Sequence, residues 1–236
     1  EFCHASSLYE RVFNHKAFTG RSGTMFGYEG LGCIYWHMVS KLLLAVQENY
    51  QHAWSMDSNS KETLKLADYY YKVRAGIGFN KTPENYGAFP TDPYSHTPKH
   101  SGAQQPGMTG QVKEEVITRF GELGLEVVEG TIVINPSLLS PKEFLQKAAT
   151  FDCQNIEGQM QSFIVQAGQL AFTYCQVPFI YQLNDEPTQG IEVQFKDGTS
   201  EAFASLTLNH EMASQLFSRS GLIEKVVVVL SKHQLL

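Results

Sequence analysis

The sequence has few of the features that mark specialised protein classes. Its four cysteines are far apart, with no C-x-x-C pair among them, so a structural zinc knuckle is not supported. It contains no basic run and has a formal net charge of -6, which argues against a nucleic-acid partner. Its longest strongly apolar run, Val226 to Leu230, has the length of a strand, so we expect no membrane partner. Cys33 and Cys175 lie in apolar surroundings and are expected to be small buried side chains.

What remains is the composition of an ordinary globular protein. Hydrophobic residues make up 42% of the chain and charged residues 18%, which is sufficient for a sizeable core. Helical patterns dominate residues 1–124 and strand patterns residues 125–236. We therefore expect an α+β protein with a helical N-terminal half and a β-rich second domain. The sequence leaves its localisation open between cytoplasm and periplasm.

The first domain contains two strong helix signals before any long loop. Apolar residues, Met38 and Leu42 among them, recur at helical spacing from Gly27 to about Ala53, so this helix is expected to be buried. A second helix is predicted from Lys61 to about Ala75, with Gly76 as its stop. Its inward side chains are expected at Leu64, Ala67, Tyr71 and Val73.

A third helix is predicted from Gly110 to about Leu123, with Thr109 as its N-cap and Gly124 as its end. Its apolar side is expected to consist of Val112, Val116, Phe120 and Leu123.

Strand signals fill the rest of the chain. A hairpin is predicted from Leu125–Val128 and Thr131–Ile134 around the turn Glu129-Gly130. Further strands are expected at Leu170–Cys175, Phe179–Leu183, Ile191–Phe195, Ala202–Leu208 and Lys225–Ser231, with a turn at Asp197-Gly198. Short helices are expected at Pro141–Ala149, capped by Ser140, and at His210–Ser218. This pattern predicts an antiparallel β-sandwich or a jelly-roll-like unit.

The segment 79–108 interrupts the helices with a long loop. It contains five prolines, a density that neither a helix nor a central strand tolerates. Its aromatic residues are groups that pack, so we expect an ordered loop that serves a site. Its polar and aromatic side chains, together with the helix start that follows, suit sugar binding: Asp92, Tyr94, Ser95, His96, His100, Gln104, Gln105, Thr109, Gly110 and Gln111. The alternative is a polar loop held by its own side-chain to backbone hydrogen bonds.

Carboxylates near this loop predict glycosidic chemistry. Hydrolysis needs two carboxylates flanking the scissile bond, so Glu114 or Glu115 is paired with Asp92 or Glu29. Tyr28, beside Glu29, is expected to face the same cleft. The alternative is that acidic residues in a first helical turn complement the helix dipole.

The loop and the helix start that follows it also suggest two other ligands, a metal ion and an anion. A catalytic zinc on His96 and His100 would need a third ligand such as Asp92, and Pro98 prevents a shared helical face, so we expect no metal. The free N–H groups at the start of the third helix, from Thr109 onward, favour an anion such as phosphate instead. We expect no organic cofactor.

The order of these elements resembles a known family. Gly107-Met108-Thr109-Gly110-Gln111 follows a long aromatic loop and opens a helix, and Arg119 to Pro136 continues into strands. This is similar to the C-terminal part of glycoside hydrolases and phosphorylases built on the six-hairpin α/α toroid, such as the cellobiose and chitobiose phosphorylase family. There a Thr-Gly pair opens the last inner helix and helps hold phosphate, and a β-sandwich follows.

The resemblance implies an enzyme segment that hydrolyses or phosphorolyses an oligosaccharide. A toroid needs many more helices than residues 1–124 supply, and the chain begins Glu1-Phe2 rather than with Met. We therefore expect an N-terminal part of the same polypeptide to complete the site. The rival hypothesis is a non-catalytic sugar- or partner-binding protein whose ligand contacts the aromatics Phe179, Tyr181 and Phe203.

Overall fold

The computed structural model describes residues 36–77 and 112–236, together with Ser7, Leu8 and Arg11. The chain divides into two compact units, Glu1–Arg119 and Phe120–Leu236, and the division falls within one helix. The described residues combine helices with several sheets, so the protein is mixed α+β, as expected. None of the described helices has the length and hydrophobicity of a membrane span.

The described part of the first unit is helical. Helix α1 covers Trp36–Met56 and helix α2 covers Lys61–Ile77. The turn between them is fixed by Ser60, whose hydroxyl accepts a 3.1 Å hydrogen bond from the backbone N–H of Thr63 and so caps α2. The predicted start of α2 is confirmed, but Gly76 is not its stop, since the helix continues to Ile77.

The buried faces of these helices differ from the predicted ones except at Ala67, which is buried as expected. On α1 the buried residues are Ser40, Leu43, Gln47 and Tyr50. On α2 they are Thr63, Ala67, Tyr70 and Ile77. Met38, Leu42 and Leu64 are instead 59%, 52% and 56% exposed. The reason is that polar side chains on the inner faces, such as Gln47, hydrogen-bond to neighbouring helices and can therefore be buried.

Helix α3, Val112–Leu123, spans the division between the units. Gly124 ends it with a φ of +75°, which confirms the predicted stop. A side chain could not be accommodated at Gly124, because its Cβ would lie 2.2 Å from the carbonyl carbon of Asn135. The two backbones are held together at this point by the N–H of Asn135, which donates a 2.8 Å hydrogen bond to the Gly124 carbonyl.

The second unit contains ten strands and one α-helix among its residues. The strands are β1 Leu125–Val128, β2 Thr131–Ile134, β3 Ala149–Gln154, β4 Met160–Val165, β5 Gln169–Tyr174, β6 Val177–Asn184, β7 Gly190–Phe195, β8 Ser200–Phe203, β9 Thr207–Leu208 and β10 Ile223–Ser231. Helix α4 is His210–Phe217, and short 3-10 turns occur at Pro141–Glu143 and Lys232–Gln234. Helices are therefore not confined to the N-terminal half.

The strands form three sheets, ordered β1-β2-β9, β5-β6-β10-β7-β8 and β3-β4. All described pairs are antiparallel except one, since β10 runs parallel to β6. This pairing departs from the purely antiparallel unit expected. It arises because helix α4 and its connections carry the chain across before β10 inserts between β6 and β7.

Several predicted strands are confirmed, including the β1–β2 hairpin and β7. Ser140 caps a helical turn as predicted, but that turn is only Pro141–Glu143 rather than a helix to Ala149. The segment Ala202–Leu208 is two strands rather than one.

The hydrophobic core of this unit lies on one face of the five-stranded sheet. The inward residues of β10 are Val226, Val228 and Leu230, all with 0% exposure. Cys153 is buried as a free thiol. Cys175 is half-buried rather than buried, because it occupies a turn position with a φ of +50° between β5 and β6. Cys33 lies outside the described residues.

Candidate functional site

Most of the predicted site lies outside the described residues. This applies to Tyr28, Glu29, Asp92, Tyr94, Ser95, His96, His100, Gln104, Gln105, Thr109, Gly110 and Gln111. Of the predicted catalytic residues, Glu114 is described, and Glu115 follows it in the first turn of α3. The described part of the candidate site therefore consists of the start of α3 and the part of α1 that contacts it.

Glu114 is an unusual carboxylate because it is only 2% exposed. Its Oε1 lies 3.4 Å from the ammonium of Lys113, whose own side chain is 73% exposed. Its Oε2 is buried and accepts no hydrogen bond from any residue that the structure describes. Buried carboxylate oxygens normally have donors, since leaving one without a partner is costly. With respect to the described residues, Glu114 thus has one oxygen that can accept a hydrogen bond from a ligand or water.

The electrostatic surroundings keep Glu114 ionised. Burial acts to raise the pKa of Glu114, as it does for any carboxyl group removed from water. Hydrogen bonding from its own backbone N–H, together with the charges of Lys113 and Lys41, outweighs burial and holds the pKa below the ordinary value of 4.5. A carboxylate that stays ionised at neutral pH is suited to accept a proton, not to donate one.

Glu115 has a different environment from its neighbour. Its Oε1 accepts a 3.1 Å hydrogen bond from the hydroxyl of Ser40 on α1. This hydrogen bond holds the first turn of α3 against α1, so the Glu115 carboxylate stabilises the packing of the two helices. Of the two predicted carboxylates, Glu114 is therefore the better candidate for chemistry.

The backbone around Glu114 is held by further polar contacts. The hydroxyl of Thr118 donates to the Glu114 carbonyl at 2.9 Å, and the side-chain amide of Gln47 donates to the Thr118 carbonyl at 2.8 Å. The same amide lies 3.4 Å from the hydroxyl of Tyr70 on α2. A buried polar network that is satisfied in this way specifies one arrangement of its helices.

Sequence reasoning missed this network. Ser40 and Gln47 stand seven residues apart on α1, and Glu114 and Thr118 stand four apart on α3. Each pair therefore shares one face of its helix. Polar residues at helical spacing inside an otherwise apolar helix are the signal that was available in the sequence.

The structure also bears on two other hypotheses, the metal site and the aromatic binding surface. Within residues 36–77 and 112–236, no three His, Cys, Asp or Glu side chains are grouped to hold a metal ion, while His96 and His100 lie outside the described ranges. Phe179 and Tyr181 are fully buried, each with 0% exposure, and Phe203 packs against the core. The proposed aromatic binding surface is therefore wrong for Phe179 and Tyr181, because a ligand cannot reach them.

Comparison with known proteins yields no assignment of family. No protein-family model matches this chain, and no curated protein matches it.

Proposed function

We propose that this chain is a segment of a carbohydrate-active enzyme that cleaves glycosidic bonds, with Glu114 as its general base. The observation on which this rests is the Glu114 carboxylate, which is almost fully buried, is held ionised and has one oxygen without a hydrogen-bond donor among the described residues. A buried carboxylate whose pKa departs from the ordinary value is a frequent component of active sites.

The mechanism follows from the protonation state. In an inverting hydrolase one carboxylate removes a proton from the attacking water while a carboxylic acid protonates the departing oxygen. Glu114, which is held ionised, takes the first role by accepting the water proton at Oε2. Asp92 or Glu29 takes the second role, and the inverting mechanism requires about 6.5 to 9.5 Å between the two carboxyl groups.

Substrate binding is assigned to the loop and the helix start. The side chains of Tyr28, Tyr94, His96, His100 and Gln104 contact the sugar, with Gln105 and Gln111 beside them. In the phosphorolytic variant, Thr109 and Gly110 hold the phosphate through backbone N–H groups.

The architecture proposed for the whole molecule is an α/α toroid with a closing β-sandwich. Helices α1, α2 and α3 belong to the toroid, and the remaining helices come from an N-terminal part of the same polypeptide. The packing of α1 against α2 and α3 through buried polar side chains supports an inner location for α3, where a carboxylate faces a cleft.

The test is a survey of sugar release by the intact natural protein. Short α- and β-linked oligosaccharides of glucose, xylose and N-acetylglucosamine are incubated with the protein in the presence and absence of phosphate. We expect release of reducing sugar without phosphate, or of a sugar phosphate with it. No cleavage of any linkage under both conditions would refute the proposal, and binding without cleavage would favour the non-catalytic rival.

A further inference from the structure

The outer face of the five-stranded sheet, opposite the core, carries an open depression with a volume of about 380 Å³. The alternation of side chains along β10 defines this face, since Val226, Val228 and Leu230 point into the core. Val227 and Val229 therefore point outward, where each is half-buried, and they form the floor of the depression.

The depression is created by a missing side chain and a short strand. Gly190 on β7 pairs with Val229 on β10, so one position beside the floor has no side chain. Strand β8 ends at Phe203, which pairs with Ile191, so Gly190 has no partner residue on β8. An added Cβ at Gly190 would lie 2.8 Å from the Phe203 carbonyl oxygen, so this close approach of the two backbones requires glycine.

The rim is polar and already ordered. The connection from β6 to β7 is folded on itself, because the amide of Asn184 donates to the hydroxyl of Thr188 at 2.5 Å. Gln189 is held from the other side by the amide of Gln234, which donates to its Oε1. On β7, Glu192 accepts a 3.1 Å hydrogen bond from the amide of Gln194 at Oε1. Because these rim groups are already fixed, less conformational entropy is lost when a ligand binds.

Free hydrogen-bonding capacity remains at this rim. Among the described residues, the Gln189 Nε2 donates no hydrogen bond and the Glu192 Oε2 accepts none. The depression thus offers amide donors and a carboxylate acceptor around an aliphatic floor. In the described part of the chain, no Lys, Arg or His lines it, which disfavours an anionic ligand.

We propose that this depression is a binding site for a ring of a neutral oligosaccharide. The hydroxyl groups of a sugar ring donate to Glu192 and accept from Gln189, while its apolar C–H face lies on Val227 and Val229. The site is formed by the second unit alone, and it goes beyond the chemistry proposed for Glu114.

The test is an NMR titration of the 236-residue chain with cellotetraose, xylotetraose and maltotetraose in separate samples. We expect at least one of them, at millimolar concentration, to shift the backbone amide signals of Val227, Val229 and Ala202 in a saturable manner. No shift with any of the three would overturn the proposal.

Two variants locate the binding. Ala202→Trp places a ring in the depression from an exposed position and is expected to abolish the shifts. Gln189→Ala is expected to weaken binding about three- to tenfold through the loss of one hydrogen bond. Thr173→Ala, an exposed change on the same face but outside the depression, is the control and should leave affinity unchanged.

Persistence of wild-type affinity in Gln189→Ala, or of the shifts in a folded Ala202→Trp, would contradict the assignment. The two proposals fail separately. Glu114→Gln is expected to retain this binding, whereas Ala202→Trp is expected to retain glycosidic cleavage in the intact natural protein.

Discussion

The hydroxyl of Tyr181 donates a 2.7 Å hydrogen bond to the backbone carbonyl of Leu123. Tyr181 lies in the centre of β6 with 0% exposure, and Leu123 is the last residue of α3. The last carbonyl groups of a helix have no partner within it. The core of the β unit therefore supplies the hydrogen bond that ends α3.

We expect Tyr181→Phe to destabilise the protein by about 1 to 3 kcal/mol, because the Leu123 carbonyl would remain buried without its donor. Denaturant unfolding followed by the fluorescence and circular dichroism of the chain measures this. Tyr174→Phe is the matched control, since Tyr174 is half-buried, packs on Phe120 and has no hydroxyl hydrogen bond among the described residues. Equal stabilities of the two variants would show that the hydroxyl bond contributes little.

Gly124→Ala is expected to lower the free energy of unfolding by about 3 kcal/mol or more. The substitution combines left-handed backbone strain with a clash against the Asn135 backbone. Gly198→Ala separates these effects. Gly198 also has a positive φ, of +85°, but no atom lies within 4 Å of an added Cβ. Gly198→Ala should therefore lower the free energy of unfolding by only about 1 kcal/mol. The comparison is made from midpoints of urea unfolding, and a Gly124→Ala loss no larger than that of Gly198→Ala would contradict the close approach.

The stability of the helical unit is expected to depend on the side chain of Gln47. Gln47→Leu retains the volume but removes the donor to the Thr118 carbonyl, so we expect a loss of about 1 to 3 kcal/mol. Gln51→Leu, four residues along α1 and half-buried, is the control and should change stability by less than about 1 kcal/mol. Hydrogen exchange at the α1 and α3 amides reports the loss locally. Unchanged protection in Gln47→Leu would be evidence against the polar network.

The hydrogen bonds in the turn at Asp197 predict that the stability of this turn depends on pH. The hydroxyl and the N–H of Thr199 both donate to Asp197 Oδ1, at 2.6 and 2.9 Å, and hold the pKa of Asp197 below its ordinary value. Because the folded pKa is depressed, the stabilisation is present above the unfolded pKa and is lost as pH falls through the folded one. Thr199→Val should raise the pKa of Asp197 toward the ordinary value in an NMR titration of the carboxylate carbon. An identical pKa in both proteins would exclude this cause.

Local signals predicted much of the second unit. The β1–β2 hairpin follows from the Glu129-Gly130 turn, and both residues have a positive φ as such a turn requires. The β3–β4 hairpin was missed because its strands mix polar residues with apolar ones and its turn at Gly158 follows an Asn155 side-chain bond. The parallel pairing of β6 with β10 was also missed, since it joins strands far apart in sequence.

The helical unit shows why the candidate site was only partly predictable. Periodicity located α1 and α2, but it selected apolar Met38 and Leu42 for the interior. The buried face of α1 instead combines Leu43 and Tyr50 with polar Gln47, which tertiary hydrogen bonds hold in the interior. The different environments of Glu114 and Glu115 likewise depend on Ser40, which is 75 residues from Glu115 in the chain.

The central claim is tested most directly by the rate of glycosidic-bond cleavage in a Glu114→Gln variant of the intact natural protein. Removal of a general base is expected to lower kcat by about 10²- to 10⁴-fold, with circular dichroism unchanged. Glu62→Gln is the matched control, because Glu62 is an exposed acidic residue in the first turn of α2 and tests the helix dipole alone. Its rate should equal that of the wild type. A wild-type rate in Glu114→Gln would contradict the account.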